Sequence, residues 1–140
     1  MSTRFDRAME NHRAGMNCSQ SVACVFCDAV GMDETLMRRI MEGFGLGMGC
    51  MEGTCGALSG AVAAASLRLN DTLPACPTHK QQVYAVVRQI MEAFQDKNGS
   101  VLCKDLKGAG TGKPLRSCDG CIQDAVEILE RTVFAASETE

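Results

Sequence analysis

Apolar residues recur at spacings of three and four along most of this chain, which is the period of an amphipathic α-helix. The clearest run covers residues 78–96, and similar stripes occupy 22–29, 36–44 and 122–133. No segment combines a sustained alternation of apolar and polar residues with an enrichment in β-branched residues. The pattern predicts an all-α fold, a single-domain bundle of about five or six helices that covers residues 1–140.

The breaks between these stripes carry ordinary helix signals. Asp33 is suited to cap the start of a helix, and Cys76 stands between two prolines in a predicted loop. Residues 107–114 contain three glycines and predict an exposed turn. The small residues of 56–65 predict the central buried helix, because they let neighbouring backbones approach closely.

Composition and charge exclude several classes of function. The net charge is −3, and the basic residues are scattered, so nucleic acid is not an expected partner. The most apolar stretch, 54–67, is about 14 residues long, whereas a membrane span needs about 20. The first 13 residues lack the apolar core of a secretory signal. We therefore expect a cytoplasmic protein without a membrane span. The sequence does not decide whether it forms a homodimer.

Four of the nine cysteines fall at predicted helix starts, each shortly after a residue that can cap a helix. The four pairs of cap and cysteine are Asn17 and Cys18, Thr54 and Cys55, Ser100 and Cys103, and Ser117 and Cys118. Asn17 also has Gln20 in the position that completes a capping box. A helix start favours the thiolate over the thiol, and the thiolate is both the nucleophile and the metal ligand. Four convergent starts would supply roughly +2 of charge.

The glycine-rich stretch 43–50 leads toward Cys55. It lacks the preceding strand and the lysine of a nucleotide-binding loop. We expect its backbone N–H groups, at Gly45, Gly47 and Gly49, to approach a buried anionic centre together with Gly56.

The other five cysteines have less definite roles. Cys24 and Cys27 form a Cys-x-x-Cys pair inside a predicted helix, where core packing is the simpler interpretation. Cys50 and Cys121 are candidate resolving thiols. Cys50 lies five residues before Cys55, and Cys121 lies three residues after Cys118. Cys76 is predicted to be exposed and has no partner in the sequence.

The order of these motifs resembles a small redox-active family named for its C, GCAxxG, C, C pattern. In chain order the motifs are Asn17-Cys18-Ser19-Gln20, Gly43-Phe44-Gly45, Cys55-Gly56-Ala57-Leu58-Ser59-Gly60, Leu102-Cys103-Lys104-Asp105-Leu106, and Cys118 followed by Ala125-Val126-Glu127-Ile128-Leu129. The resemblance covers about 17–130, although the family name has Gly-Cys-Ala where this chain has Cys-Gly-Ala. It implies that Cys18, Cys55, Cys103 and Cys118 are the redox-active set.

A related domain occurs in the split-Soret cytochromes, where such cysteines are associated with an iron–sulfur cluster. The resemblance therefore implies a cluster site here. A c-type haem is not expected, because the chain has no Cys-x-x-Cys-His.

Three hypotheses follow for these four cysteines. They hold a [2Fe–2S] or [4Fe–4S] cluster for electron transfer or redox sensing, they exchange with disulfides in pairs without metal, or they form a structural zinc site with four cysteine ligands. The first is favoured, mainly by the resemblance, and each redox hypothesis requires a redox partner protein that the sequence does not identify. A hydrolase or transferase is not expected, because neither His12 nor His79 has a recognisable catalytic partner.

Overall fold

The structure, a computed structural model, describes residues 3–134, and its regular elements there are helices. The right-handed helices are α1 (Thr3–Arg13), α2 (Cys18–Cys24), α3 (Cys27–Val30), α4 (Glu34–Met41), α5 (Gly56–Thr72), α6 (Lys80–Asn98), α7 (Cys103–Lys107) and α8 (Cys118–Thr132). Within the described residues there is no strand, only an isolated bridge between Thr54 and Leu102. The all-α prediction is confirmed, and six of these helices have seven or more residues.

Three of the predicted helix caps form as expected. Asn17 makes a capping box with Gln20 at the start of α2, and the Asp33 carboxylate accepts from the backbone N–H of Leu36 at the start of α4. The Ser117 hydroxyl accepts from the Gly120 N–H at 3.0 Å and so begins α8. These caps depend on contacts across three residues, which is why the sequence predicts them.

The other two helix starts lie elsewhere than predicted. Thr54 does not cap α5, because Thr54 pairs with Leu102 and Cys55 itself takes the N-cap position. Ser100 does not begin a helix either. Its hydroxyl donates to the Asp105 carboxylate at 2.7 Å, and α7 begins at Cys103.

Two further predictions need correction. Cys24 and Cys27 do not share one helix, because a turn at Val25 and Phe26 interrupts the α-helix, so that Cys24 ends α2 and Cys27 begins α3. The helix predicted over 78–96 runs from Lys80 to Asn98, two residues later at each end.

Helix α5 is the central element, as its small residues predict. It packs against α2, α3, α6 and α8. Gly60 makes the closest of these approaches possible, since a Cβ there would lie 2.5 Å from the Ser19 carbonyl oxygen of α2. The absence of a side chain therefore sets the distance between α2 and α5.

The stretch between α4 and α5 is irregular. A 3-10 turn, Glu42–Phe44, leads into Gly45–Gly49, where Leu46, Gly47 and Met48 all have left-handed backbone angles. Left-handed geometry is unusual for residues other than glycine. Two hydrogen bonds stabilise the turn, from Met51 N–H to the Leu46 carbonyl and from Gly53 N–H to the Gly47 carbonyl.

The buried side chains form two hydrophobic cores. The larger core lies among α1, α2, α5, α6 and α8, and includes the contact between Phe26 and Phe134 at a ring-centroid distance of 4.7 Å. The smaller core lies around Cys24, Cys27, Met37 and Met41. Among the described residues, no helix combines the length and apolar character needed to cross a membrane.

Candidate functional site

Five cysteine side chains line one cavity of about 190 Å³, which we call the thiol cavity. They are Cys18, Cys55, Cys103, Cys118 and Cys121. The other lining residues are His12, Asn17, Leu46, Gly56, Leu106, Lys107 and Arg116. The structure thus brings the four helix-start cysteines together and adds Cys121, which lies one turn after Cys118 on α8.

Each of the four predicted thiols reaches the cavity from the beginning of a different helix. Cys55 and Cys118 stand at the beginning of the long helices α5 and α8, of 17 and 15 residues. Cys18 and Cys103 begin α2 and α7, which have only seven and five residues. Short helices align fewer peptide dipoles, so the positive charge from the helix starts is smaller than the sum of four full dipoles.

Cys18 and Cys118 form one hydrogen-bonded pair of thiols. The hydrogen bond from Cys18, followed by contact with the Lys107 ammonium, lowers the pKa of Cys118 to about 5. The Lys107 Nζ donates to the Cys118 sulfur at 3.2 Å. The same pairing, together with burial, raises the pKa of Cys18. Cys118 is therefore the thiolate of the pair, and it is partly exposed.

Cys55 and Cys121 form the second pair, deeper in the protein. The hydrogen bond from Cys121 lowers the pKa of Cys55, and the backbone N–H groups of Ala57 and Leu58 lower it further. These N–H groups belong to the first turn of α5, so the start of this helix stabilises the Cys55 thiolate. The pairing with Cys55 and burial raise the pKa of Cys121, which stays a protonated donor.

Cys103 belongs to neither pair. It is 5% exposed, and burial raises the pKa of its thiol. Its position depends on Gly47, because a Cβ at Gly47 would overlap the Cys103 Cβ. Two backbone bonds fix the beginning of α7, from Cys103 N–H to the Gly53 carbonyl and from Lys104 N–H to the Met51 carbonyl.

Three cationic or ionisable side chains surround these thiols. Lys107 contacts Cys118, and the His12 ring lies 3.0 Å from the Asp119 carboxylate. Arg116 is held by a bidentate contact to the buried Asp124, with both N–O distances 3.1 Å. The sequence signals did not indicate these roles for His12, Lys107 and Arg116, because each depends on contacts made through the tertiary fold.

The remaining predicted site residues take different places. Gly56 lines the cavity, whereas Gly45, Gly47 and Gly49 are not among its lining residues. Gly45 is packed against the Asn17 side chain, and the neighbour of Gly47 is Cys103. Loop 43–50 therefore contributes Leu46 to the cavity wall, while Gly45 and Gly47 pack against the wall residues Asn17 and Cys103.

Cys50 and Cys76 lie outside the cavity wall, and both are exposed. The Cys50 thiol faces the Gly47 carbonyl at 3.8 Å. His79 is also remote from the cavity wall, with its ring nitrogens 2.9 Å from the Asn70 side-chain oxygen and 2.6 Å from the Pro74 carbonyl.

All nine cysteines are free thiols. Within residues 3–134, no group of three or more cysteine, histidine, aspartate or glutamate side chains has the arrangement that holds a metal ion. Four of the five cavity thiols act on one another in pairs, Cys18 with Cys118 and Cys55 with Cys121, and each pairing shifts the pKa values of its two members.

The fold and the cavity define a helical protein with a multi-thiol centre. Residues 16–132 match the family described as "Putative redox-active protein (C_GCAxxG_C_C)". Because the match covers most of the chain, the protein belongs to this redox-active family. Comparison with curated proteins and with solved structures gives no match.

Proposed function

We propose that the thiol cavity holds an iron–sulfur cluster through Cys18, Cys55, Cys103 and Cys118, and that the protein transfers electrons or senses redox state. The observation that carries the proposal is the convergence of thiols from four helix beginnings on one cavity. Thiol–disulfide chemistry needs two cysteines, whereas a cluster of either common type takes four thiolate ligands.

The donor set fits such a group chemically. Thiolates are the ligands that iron–sulfur clusters prefer, and Cys55 and Cys118 both have lowered pKa values. Each cysteine can turn its sulfur among staggered χ1 positions while its backbone stays in place. Bound there, a cluster would accept and donate single electrons.

The surrounding residues would adjust the charge and potential of the centre. Four thiolates carry about four negative charges, and Lys107 and Arg116 supply positive charge at the cavity wall. Cys121 has a raised pKa and donates to the Cys55 sulfur, and hydrogen bonds to ligand sulfurs tune reduction potentials.

Thiol–disulfide exchange is the second candidate function, and the Cys18–Cys118 pair favours it. Cys118 is a partly exposed thiolate beside Lys107, which suits it to attack a disulfide of a partner protein. Cys18 would then resolve the mixed disulfide. The partner's disulfide would be reduced to two thiols, and Cys18 and Cys118 would be oxidised to a disulfide, to be reduced again by a thiol reductant.

Cys103 distinguishes the two functions, because it belongs to neither hydrogen-bonded pair. The test is anaerobic purification and cluster reconstitution of the wild type, C103S and the control C50S, which removes an exposed cysteine outside the cavity wall. The visible spectrum and the content of iron, sulfide and zinc are measured. We expect stoichiometric iron and sulfide in the wild type and C50S, with loss of both in C103S.

The opposite outcomes are equally clear. Wild-type protein without iron and sulfide after reconstitution would overturn the cluster proposal. In that case the second function predicts a reversible Cys18–Cys118 disulfide in both the wild type and C103S, detected by differential thiol alkylation and mass spectrometry. Stoichiometric zinc without iron would favour a structural site.

A further inference from the structure

A second concentration of sulfur atoms lies apart from the thiol cavity, in the smaller hydrophobic core. Its buried members are Ala23, Cys24, Cys27, Met37 and Met41. Met16 and Met32 are partly buried and pack against it, together with Ala63 and Leu67. We call this region the soft-sulfur core, because two thiols and four thioethers meet in it.

The two thiols of the soft-sulfur core act on each other. A short turn at Val25 and Phe26 separates α2 from α3 between Cys24 and Cys27, and each thiol is the largest cause of the other's pKa shift. Cys24 is 0% exposed and Cys27 is 3% exposed. Their other polar contacts are long, 3.9 Å from Cys24 Sγ to the Glu34 carbonyl and 3.8 Å from Cys27 Sγ to the Ala23 carbonyl.

The chemistry of these donors selects a particular kind of ion. Thiolate and thioether sulfurs are soft ligands that favour Cu(I), whereas oxygen-seeking ions such as Mg²⁺ and Ca²⁺ need carboxylates or carbonyls in number. The charged groups that act on the two thiols are Glu34 and Arg38 for Cys24, and Glu34 and Asp28 for Cys27.

We propose that the soft-sulfur core binds one Cu(I) ion through the thiolates of Cys24 and Cys27, with a thioether of Met37 or Met41 as a further ligand. Binding releases the two thiol protons and leaves a site with one net negative charge. No electron is transferred, so the step needs no oxidant or reductant. The site is independent of the function proposed for the thiol cavity.

Methionines also lie at the boundary of the soft-sulfur core. Met16 and Met32 are partly buried and pack against it. Met41 additionally lines a groove of about 490 Å³ together with Met48 and Met91, and Met48 is 54% exposed. Met41 therefore belongs both to the soft-sulfur core and to an open groove.

The test is an anaerobic titration of the reduced protein with Cu(I) in competition with bicinchoninate. The thiol cavity also offers thiols to Cu(I), so the informative quantity is the difference between C24S/C27S and C50S/C76S. Both double variants remove two thiols, but only the first removes the soft-sulfur pair. We expect C24S/C27S to bind one equivalent fewer than the wild type and C50S/C76S to bind the same number as the wild type.

A second measurement identifies the ligands in the wild-type protein, where a folding defect cannot interfere. Cu(I) at full occupancy should shift the methionine methyl NMR resonance of Met37 or Met41, assigned from M37L and M41L. The resonance of Met9, which lies in the larger core, should stay in place. Equal loss of Cu(I) from the two double variants, or an unchanged methionine spectrum at full occupancy, would overturn the proposal.

Discussion

The thiol cavity and the soft-sulfur core lie at opposite ends of the same short helix. Cys18 begins α2 and faces the cavity, and Cys24 ends α2 and belongs to the soft-sulfur core. At the cavity, Cys18 and then Lys107 lower the pKa of Cys118 to about 5, and Cys121 and two backbone N–H groups lower the pKa of Cys55. In the soft-sulfur core the thiols pack among thioethers and alkyl groups, and the charged groups that act on them are Glu34, Arg38 and Asp28.

The comparison shows that cysteine chemistry here depends on what surrounds the sulfur rather than on spacing in the sequence. Cys118 and Cys121 form a Cys-x-x-Cys motif, yet each pairs with a cysteine from another helix. Cys24 and Cys27 have the same spacing and pair with each other. The helix break at Val25 and Phe26 makes the difference, since α8 continues without interruption through Cys121.

The largest effect is expected from removing the buried charge of Asp124 beside the thiol cavity. Among the described residues, the soft-sulfur core has no such buried charge. The Asp124 side chain is 0% exposed and accepts from Lys97 at 2.6 Å, Asn98 at 3.0 Å and Arg116 at 3.1 Å. Asp124→Ala should lower the free energy of unfolding by about 3 kcal/mol, because it removes these bonds and releases Arg116 from the cavity wall. Denaturant titration at neutral pH measures the loss.

The pH dependence of this effect has a definite sign. Burial alone would raise the pKa of Asp124, but the hydrogen bonds from Lys97, Arg116 and Asn98 outweigh it and the pKa is lowered. The stabilisation is therefore present above the unfolded-state pKa and is lost as the pH falls through the folded-state pKa. The difference between wild type and Asp124→Ala should shrink in acid. Asp119→Ala, at an exposed position on the same helix, is the control, and an equal loss there would contradict the prediction.

A smaller effect is expected from the glycine that supports Cys103. Gly47 and Gly49 both have left-handed backbone angles, so alanine strains the backbone at either position. Only at Gly47 would the added Cβ meet Cys103 and lie 2.9 Å from the Gly53 carbonyl, since nothing lies within 4 Å at Gly49. Gly47→Ala should therefore lower the free energy of unfolding by about 2 kcal/mol more than Gly49→Ala.

Thiol alkylation adds a regional readout to the Gly47 prediction. In Gly47→Ala, Cys103 should react faster than in the wild type, while Cys24 and Cys27 should keep their slow rates. Faster reaction at Cys24 and Cys27 as well would show that the two regions are not independent. Equal stability of Gly47→Ala and Gly49→Ala would contradict the steric argument.

Local contacts explain what the sequence could predict. The caps at Asn17, Asp33 and Ser117 each use an atom three residues away, so residue types in sequence determine them. The amphipathic stripes similarly determine the long helices. The small residues of 56–65 indicated the central helix for a local reason as well, because glycine and alanine permit close approach.

Features that depend on the tertiary fold could not be predicted. No glycine or proline marks the break before Cys27. The left-handed angles of Leu46 and Met48 run against the preference of both residues. Lys107 reaches Cys118 because residues 108–117 return to α7, where the Leu106 carbonyl accepts from Leu115 and Arg116. Convergence of the four helix starts was an assumption at the level of sequence, because no spacing along the chain fixes a distance in space.

The helix caps at Asn17 and Asp33 allow a comparison of the thiol cavity with the soft-sulfur core, because the two caps contribute about the same free energy to folding. Asn17 caps α2, which begins at Cys18, and Asp33 caps α4, which carries Met37 and Met41. Each alanine substitution should lower the free energy of unfolding by about 1 kcal/mol. Asn17→Ala should have the larger effect, because the Asn17 amide also donates to the Glu42 carbonyl at 2.8 Å.

Hydrogen exchange would show where each cap acts. Asn17→Ala should speed exchange in the first turn of α2, and Asp33→Ala should do so in the first turn of α4. A larger stability loss in Asp33→Ala would contradict the ranking.

The smallest expected effect concerns the thiolate of Cys118 in reduced, metal-free protein. Lys107→Gln removes the ammonium that donates to the Cys118 sulfur, so the pKa of Cys118 should rise. The Cys18 hydrogen bond, the larger cause of the lowered pKa, remains, and we expect a rise of about one unit. The thiolate fraction at about pH 5.5 would then fall by about threefold.

The measurement is the pH midpoint of Cys118 alkylation. The plateau rate is not used, because the thiolate of a less acidic thiol is a stronger nucleophile and the plateau rate would change for that reason as well. Lys104→Gln is the matched control, since Lys104 lies on the same helix and pairs with Glu52 at 3.3 Å instead of with a thiol. The midpoint should move upward in Lys107→Gln and stay in place in Lys104→Gln. Cys24 should titrate alike in all three proteins, because Lys107 is not among the charged groups that act on it. Equal midpoints for Cys118 in the two variants would mean that Cys18 stabilises the thiolate without Lys107.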